Sequence, residues 1–235
     1  MPNKQFWAII PAAGVGKRMQ ADRPKQYLPL HNKTVIEHTL DRLLSLSEIT
    51  GVVLSISETD EYWPDLHYTT DKPLLIAKGG KERSDSVLNA LKMLANESNG
   101  AEEIWVLVHD AARPCVRAED IKGLIKGAVK SDDGGLLALP VRDTMKRSGS
   151  HNRVHKTVNR DGLWHALTPQ MFRLDLLMNA LIKAQESNMP VTDDASAMEL
   201  AGYAPLLFEA HEDNLKITRA FDLQLAELFL KNQNV

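Results

Sequence analysis

A short segment near the N-terminus combines a glycine-containing turn with several cations. Residues 11–30 read PAAGVGKRMQADRPKQYLPL, in which Gly14 and Gly16 are spaced for a tight turn. The N–H groups of such a turn can surround a phosphate, because glycine lets the backbone approach a ligand closely. The cations of the segment are Lys17, Arg18, Arg23 and Lys25. A lone GxG is often only structural, but this concentration of positive charge favours a phosphate-binding loop.

The loop matches neither of the general nucleotide fingerprints. Met19 stands where the dinucleotide fingerprint has its third glycine, and Arg18 stands where the P-loop has Ser or Thr. No acidic ribose ligand follows the GVVLSIS segment clearly either. These departures argue against a nicotinamide-dependent oxidoreductase.

Two further loops carry residues suited to a nucleotide or a sugar phosphate. In HDAARP (residues 109–114), Asp110 can accept hydroxyl hydrogen bonds or assist a metal, and Arg113 can hold phosphate by two contacts. A turn-capping Asp beside a solvated Arg is the alternative. In GGKERSDSV (residues 79–87), the glycines permit close approach, and Ser84 or Ser86 either caps the next helix or binds a base edge.

The remaining polar clusters have ordinary structural explanations as well as functional ones. Basic side chains recur in residues 143–160 and at Lys216, where a solvated charged face is the usual reason. TDDASAMEL (residues 192–200) is the start of a helix, with Thr192 as N-cap and the two following aspartates favoured by the helix dipole.

Other chemistries find little support. His151 and His155 have the spacing of two zinc ligands on a helix, but they lie in a predicted hairpin without a companion Glu. There is no GxSxG motif, and Cys115, next to a proline, is predicted to be a buried or half-buried thiol. We therefore expect neither a protein-held metal nor a catalytic nucleophile.

Alternating strands and helices are needed to bring these loops together. Apolar runs predict strands at residues 6–10, 51–56, 73–77, 104–109 and 134–141. Apolar residues three and four apart predict helices at residues 34–46, 84–94 and 118–130. The alternation predicts an α/β fold, a mostly parallel sheet covered by helices with ligands at the carboxyl ends of its strands. Without a linker or repeat, residues 1–235 are expected to form a single domain.

Residues 143–160 do not follow this alternation. They read DTMKRSGSHNRVHKTVNR, a polar hairpin with few apolar residues to bury. Because such a hairpin is unstable alone, we expect it to pack on a second copy of the chain as a β-arm, which predicts a homodimer.

The amino-acid composition limits the classes of binding partner and the cellular compartment that we expect for the protein. Lys and Arg total 28 against 31 Asp and Glu, a formal charge of −3, which argues against a nucleic-acid-coating protein. No apolar run approaches the roughly 18 residues of a membrane span, so no membrane partner is expected. One cysteine in the chain fits a reducing compartment, and we expect a cytoplasmic protein.

Taken in order, eight blocks resemble one enzyme family along nearly the whole chain. They are PAAGVGKRM, PKQYLPL, GGKERSDSV, VHDAARP, PVRDTMK, NRDGLWHALTPQ, TDDASA and NLKIT. This order resembles the 2-C-methyl-D-erythritol 4-phosphate cytidylyltransferases of the non-mevalonate isoprenoid pathway. The resemblance implies a single Rossmann-like nucleotidyltransferase domain, a homodimer joined by the arm, and transfer of CMP from CTP to a sugar-alcohol phosphate with loss of pyrophosphate.

The resemblance also implies roles for individual residues. Arg18 and Lys25 become the catalytic residues that stabilise the transition state, and Mg²⁺ is implied as a cofactor carried by the triphosphate. Nucleotide contacts, mainly through backbone groups, fall on Pro11, Ala12, Ala13, Gly14, Gly16, Gly79, Gly80 and Ser86, with Asp110 near the ribose and metal. Acceptor contacts fall on Arg113, Thr168, Thr192 and Lys216, and from the partner subunit on Thr144 and Arg160.

The sequence departs from the family at one position and leaves alternatives open. Lys81 stands where the family pattern GGDER has an acidic residue, which puts a ribose hydrogen bond there in doubt. A ribitol 5-phosphate cytidylyltransferase shares several blocks, although VRDTMK and DGLWHALTPQ favour the methylerythritol enzyme. A catalytically silent nucleotide-binding module is the alternative from another class, and the presence of both Arg18 and Lys25 argues against it.

Overall fold

Alternating apolar runs and amphipathic segments produce a layered α/β structure. This computed structural model describes residues 4–14, 22–98 and 103–233, in which eleven strands and six α-helices form. The strands are β1 (Lys4–Pro11), β2 (Pro29–Leu30), β3 (Lys33–Thr34), β4 (Gly51–Ile56), β5 (Leu74–Lys78), β6 (Glu103–Val108), β7 (Gly135–Pro140), β8 (Met145–Ser148), β9 (Val154–Val158), β10 (Trp164–Arg173) and β11 (Leu206–Glu209). The helices are α1 (Val35–Leu44), α2 (Arg83–Glu97), α3 (Ala118–Ala128), α4 (Leu174–Glu186), α5 (Asp194–Leu200) and α6 (Ala220–Asn232).

The central sheet has seven strands among the described residues, in the order β11-β7-β10-β6-β1-β4-β5. β6, β1, β4 and β5 are parallel neighbours, β11 is parallel to β7, and β10 runs antiparallel to both β6 and β7. The predicted mostly parallel sheet is therefore confirmed. All five predicted strands and three predicted helices are present, with ends that differ by up to three residues.

Both faces of the sheet are buried, and β1 shows why. Ala8 and Ile10 pack with α1 and α3 on one face, whereas Trp7 and Ile9 pack with α2, α4 and α5 on the other. A strand that buries both faces shows a continuous apolar run, as FWAII does. None of the helices in the described ranges is long and apolar enough to span a bilayer.

A smaller apolar cluster joins α6 to the segment before α1. It contains Leu30, Ala226 and Leu230, together with Cys115, whose predicted burial is confirmed. Burial raises the pKa of the Cys115 thiol to about 12. The thiol therefore stays protonated at neutral pH, which disfavours a nucleophilic role.

The hairpin predicted within residues 143–160 is also confirmed. β8 and β9 pair antiparallel as a separate two-stranded sheet, and most of their residues are exposed. Val154 on this hairpin leaves 64% of its surface exposed.

The predicted N-cap Thr192 is wrong, and the capping alternative for Ser84 or Ser86 is excluded. Asp193, not Thr192, caps α5: its side chain accepts a hydrogen bond from the Ser196 N–H at 3.0 Å. The carboxylate of Asp193 is one residue closer to that N–H, and Asp is as good an N-cap as Thr. α2 begins at Arg83 after Glu82, so neither Ser84 nor Ser86 is its cap.

Candidate functional site

A cavity of about 580 Å³ lies at the carboxyl ends of β1 and β6, beside the N-terminal end of α2. This is the position predicted for a ligand in a parallel sheet. Its lining residues are Pro11, Ala12, Ala13, Gly14, Lys25, Gln26, Gly80, Lys81, Glu82, Arg83, Ser86, Asp110, Ala111, Ala112, Lys216 and Thr218.

Neighbouring segments hold the described start of the loop after β1, residues 12–14. The Ala12 N–H donates to the Ser55 carbonyl at 2.8 Å, and the buried Gln26 amide donates to the Ala12 carbonyl at 2.7 Å and the Gly14 carbonyl at 3.2 Å. Gln26 was not singled out from the sequence, although its place beside Lys25 in the PKQ block was a signal. Gly16 and Arg18 lie outside the described residues.

The second glycine-containing loop is fixed at both of its glycines. Gly79 packs against the first loop, since a Cβ there would lie 2.3 Å from the Ala13 Cβ. Gly79 itself is not among the residues that line the cavity, whereas Gly80 is. The Gly80 N–H donates to the Ser86 hydroxyl at 2.9 Å, so Ser86 supports this loop from inside α2.

Lys25 begins a short 3₁₀ helix, Lys25–Tyr27, and lines the cavity. Its ammonium donates to the Ile217 carbonyl at 2.9 Å. Ile217 lies between two cavity residues, Lys216 and Thr218. The contact joins segments that are 192 residues apart and brings the Lys25 and Lys216 regions together.

Asp110 is the electrostatic centre of the cavity. Its buried carboxylate lies 2.8 Å from the Lys216 Nζ, 3.1 Å from the Arg83 Nε and 3.4 Å from the Arg113 Nε. Burial alone would raise the pKa of Asp110, but these three cations hold that pKa well below its ordinary value. Asp110 is therefore ionised throughout the physiological pH range, and turn capping alone does not account for its surroundings.

Arg83 extends this network to a second buried carboxylate. Its Nη1 lies 2.9 Å from an oxygen of Asp194, the first residue of α5. Sequence analysis did not identify Arg83, and it assigned Asp194 only to the helix dipole. A signal was present: an arginine stands three residues after Gly80, where a helix begins beside a candidate phosphate site.

Arg113 and Thr168 lie beneath the cavity instead of lining it. Arg113 is 7% exposed, and its Nη1 donates to the Asn214 carbonyl at 2.6 Å. The Thr168 hydroxyl accepts from the Asp110 N–H at 3.1 Å and contacts His109 Nδ1 at 3.0 Å. In this structure both side chains support Asp110.

The other predicted acceptor residues are not brought into this cavity by one chain. The Thr192 N–H donates to the Ser196 hydroxyl at 3.1 Å near the start of α5. Thr144 and Arg160 lie exposed at the base of the β8–β9 hairpin, where the Arg160 guanidinium donates to the Arg142 carbonyl.

The donor set fits a metal that reaches the site with a polyphosphate. Within the described ranges, no group of three or more His, Cys, Asp or Glu side chains could hold a metal ion. Mg²⁺ is usually held by one or two carboxylates together with substrate phosphates, and Asp110 supplies one carboxylate in the cavity. The arrangement can thus bind phosphate groups through Lys25, Lys216 and the two loops.

Comparison with known proteins gives one consistent result. The family model for 2-C-methyl-D-erythritol 4-phosphate cytidylyltransferase matches residues 6–232. The enzyme of that name from Vibrio vulnificus is 50% identical over 226 residues, covering 96% of this chain and 94% of the relative. That from Pseudomonas putida is 53% identical over 219 residues, covering 93% of each.

Solved structures agree with the sequence relatives. The crystal structure of the Francisella tularensis enzyme of the same name has a TM-score of 0.83 and 36% identity, and the match covers 96% of this chain and 100% of that one. Because the match extends over the whole sheet and the cavity at its edge, the chain belongs to the 2-C-methyl-D-erythritol 4-phosphate cytidylyltransferase family.

Proposed function

We propose that the protein transfers CMP from CTP to 2-C-methyl-D-erythritol 4-phosphate, releasing pyrophosphate, in isoprenoid precursor biosynthesis. The observation that carries the proposal is the single cavity in which two glycine-containing loops meet Lys25 and the Asp110–Lys216 pair. Loops of exposed N–H groups suit a nucleotide, and positioned cations suit its phosphates and a second, phosphorylated substrate.

In this proposal the nucleotide binds between the two loops. The backbone at Pro11, Ala12, Ala13, Gly14, Gly16 and Gly80 holds cytosine, ribose and phosphates, while Gly79 sets the spacing of the loops and Ser86 supports Gly80. Lys81, the departure from the family pattern, also lines this end of the cavity. Its ammonium cannot accept a ribose hydrogen bond.

The acceptor binds at the Asp110 end. Lys216 is the cation in the cavity that contacts its phosphate, while Arg113 and Thr168 fix Asp110 from below. Thr192 lies on the segment that leads into α5, and Thr144 and Arg160 reach the cavity of the partner subunit.

The reaction needs cations rather than a general base. An acceptor phosphate oxygen, already anionic, attacks the α-phosphorus of CTP; a new P–O bond forms as the bond to pyrophosphate breaks. Negative charge grows on the oxygens around phosphorus, and Arg18 and Lys25 stabilise it. Orientation in the cavity supplies much of the remaining rate enhancement.

Mg²⁺ would be held by the triphosphate with Asp110 as its protein carboxylate, and it would supply neutralisation of the phosphate charge. In this structure the Asp110 carboxylate contacts Arg83, Arg113 and Lys216.

We also propose one nucleotidyltransferase domain that forms a homodimer through residues 143–160. Two observations support the dimer: the exposed hairpin has little to pack against, and Val154, Leu163 and Trp164 leave apolar surface exposed in this region. A cytoplasmic location stays a prediction.

A pyrophosphate-release assay tests the function. With CTP and Mg²⁺, we expect turnover on methylerythritol phosphate and little turnover on ribitol 5-phosphate. When ATP, GTP or UTP replaces CTP, we also expect little turnover. Faster turnover with ribitol 5-phosphate would support the alternative cytidylyltransferase. CTP binding without turnover on either acceptor would support a non-catalytic module and overturn the proposal.

A further inference from the structure

Arg83 connects three separate segments around the cavity through its ion pairs. It is the first residue of α2, and its guanidinium contacts Asp110 after β6 and Asp194 at the start of α5. The two contacts use different nitrogens, Nε at 3.1 Å and Nη1 at 2.9 Å. The planar guanidinium can hold two carboxylates in this way, whereas an ammonium is a single point charge.

Asp194 depends on this contact. Its side chain is 1% exposed, and apart from the Arg83 guanidinium no described residue donates a hydrogen bond to either carboxylate oxygen. Burial raises the pKa of Asp194, and Arg83 opposes that rise. A buried carboxylate is costly unless it is paired. Because loss of the ion pair would leave the Asp194 charge uncompensated, Asp194 holds the Arg83 guanidinium in place.

Arg83 is in turn placed to fix two functional features. Its Nε donates to Asp110, the carboxylate that also contacts Lys216. Its backbone directly follows the Gly80–Glu82 part of the cavity wall. A shift of Arg83 would therefore move the acceptor end and the nucleotide end together.

We propose that Arg83, anchored by Asp194, is a positioning residue that orients Asp110 and the Gly79–Glu82 loop for the transfer reaction. This inference rests on the proposed function. It assigns Arg83 no contact with the reacting atoms. The competing explanation is a salt bridge that only stabilises the fold, and the two differ in what happens when stability is restored without the charges.

The kinetic test compares Arg83→Lys, Asp194→Asn and the double variant Arg83→Met with Asp194→Asn. Arg83→Met alone is the stability reference for the double variant. The double variant removes both charges, so no unpaired buried ion remains and we expect it to regain much of the stability that Arg83→Met alone loses. Since a displacement of about 1 Å can cost about a hundredfold in rate, we expect kcat to fall at least about tenfold in all three variants. KM for CTP should change less than about threefold, because loose positioning affects the transition state more than binding.

Arg173→Lys is the matched control. Arg173 also contacts two carboxylates, Asp132 at 3.3 Å and Asp175 at 2.8 Å, with a side-chain exposure of 33% against 29% for Arg83, but it does not line the cavity. Its kcat should stay within about twofold of the wild type.

Each outcome separates the two ideas. If the wild type itself fails to release pyrophosphate, the proposed function fails. If the wild type is active and the double variant recovers kcat along with its unfolding midpoint, Arg83 is only structural and the inference is overturned. Wild-type kcat in Arg83→Lys would overturn it as well, even if the double variant does not fold.

Discussion

Lys25 contacts a backbone carbonyl of the segment that carries Lys216, so its ammonium is held at the cavity by the fold. We predict that Lys25→Ala lowers kcat by about a hundredfold or more, the scale of removing one transition-state donor. Steady-state pyrophosphate release measures this. Lys78→Ala is the control, because Lys78 pairs with Glu58 on the surface and does not line the cavity.

Unchanged turnover in Lys25→Ala would contradict the catalytic assignment. The same expectation holds for Arg18→Ala, which rests on the sequence alone because Arg18 lies outside the described residues.

His109 links the residues beneath the cavity to pH. It is fully buried, and burial lowers its pKa to about 4. In the unfolded chain a histidine has a pKa of about 6.5. The neutral ring is favoured by folding, so its contribution to stability is complete above about pH 6.5 and is lost as the pH falls towards 4.

We therefore predict that His109→Gln reduces the loss of unfolding free energy between pH 7 and pH 5. The reduction should be about 2 kcal/mol, measured by urea unfolding at both pH values. The exposed His155→Gln serves as the control. An identical pH dependence in His109→Gln and the wild type would show that His109 does not cause the loss.

Individual site residues were predictable where their type and position acted locally. Lys25, Gly80 and Asp110 lie directly after strands or turns, so chain order was enough to bring them to one edge of the sheet. The roles of Arg83 and Asp194 depend on a contact between residues 111 positions apart in the sequence. The spacing of apolar residues along the sequence does not predict such a long-range ion pair.

At the scale of elements, the contact between the two glycine-containing loops sets the width of the nucleotide end. A Cβ on Gly79 would lie 2.3 Å from the Ala13 Cβ and 2.9 Å from the Ile56 carbonyl oxygen. We predict that Gly79→Ala lowers the free energy of unfolding by about 1–3 kcal/mol, as overpacking does, and weakens CTP binding. Urea unfolding and CTP titration measure the two effects.

Gly123 in α3 provides the matched control. A Cβ there meets nothing within 4 Å, so Gly123→Ala should stabilise the protein by about 0.5–1 kcal/mol through helix propensity. If Gly79→Ala were as stable as the wild type, the loops would not be in the tight contact described.

The sequence pattern does not predict β10, β11, α4 or α6, and for β10 the cause is local. Pro169 cannot donate a ladder hydrogen bond, so WHALTPQMFR does not resemble a strand. The structure accommodates the proline by interrupting the pairing with β7 between Ala166 and Gln170, and pairing with β6 begins at Gln170. Tertiary pairing thus overrides the local pattern.

At the scale of the whole molecule, the hairpin tests the proposed dimer. Met145 and Val158 are opposite each other in the β8–β9 pairing. Joining them by an Asn-Gly turn in place of residues 146–157 would remove the outer arm and keep the hairpin register. We predict a folded monomer whose turnover is lowered at least about tenfold, because Thr144 and Arg160 no longer reach a partner.

Light scattering at micromolar concentration and pyrophosphate release give the two readouts, with circular dichroism to confirm the fold. A wild-type chain that is monomeric under these conditions would remove the basis of the arm proposal. So would a shortened chain that remains a fully active dimer.

Charge is distributed over the molecule in a way that the total of −3 conceals. Residues 1–25 and 139–160 carry five and six Lys or Arg against one Asp each, so the rest of the chain is acidic. The first of these segments contributes Lys25 to the cavity, and the second forms most of the hairpin.

The Asp110–Lys216 pair gives the Lys216 ammonium a counter-ion inside the cavity. With 2.8 Å between the two groups, a phosphate that contacts Lys216 exchanges one anion for another instead of meeting an uncompensated charge. A small anion that offers no other contacts gains little from this exchange. A ligand that also contacts the loops and Lys25 gains enough from those contacts to offset the separation of Asp110 from Lys216. The ion pair therefore disfavours inorganic phosphate, which offers no such additional contacts.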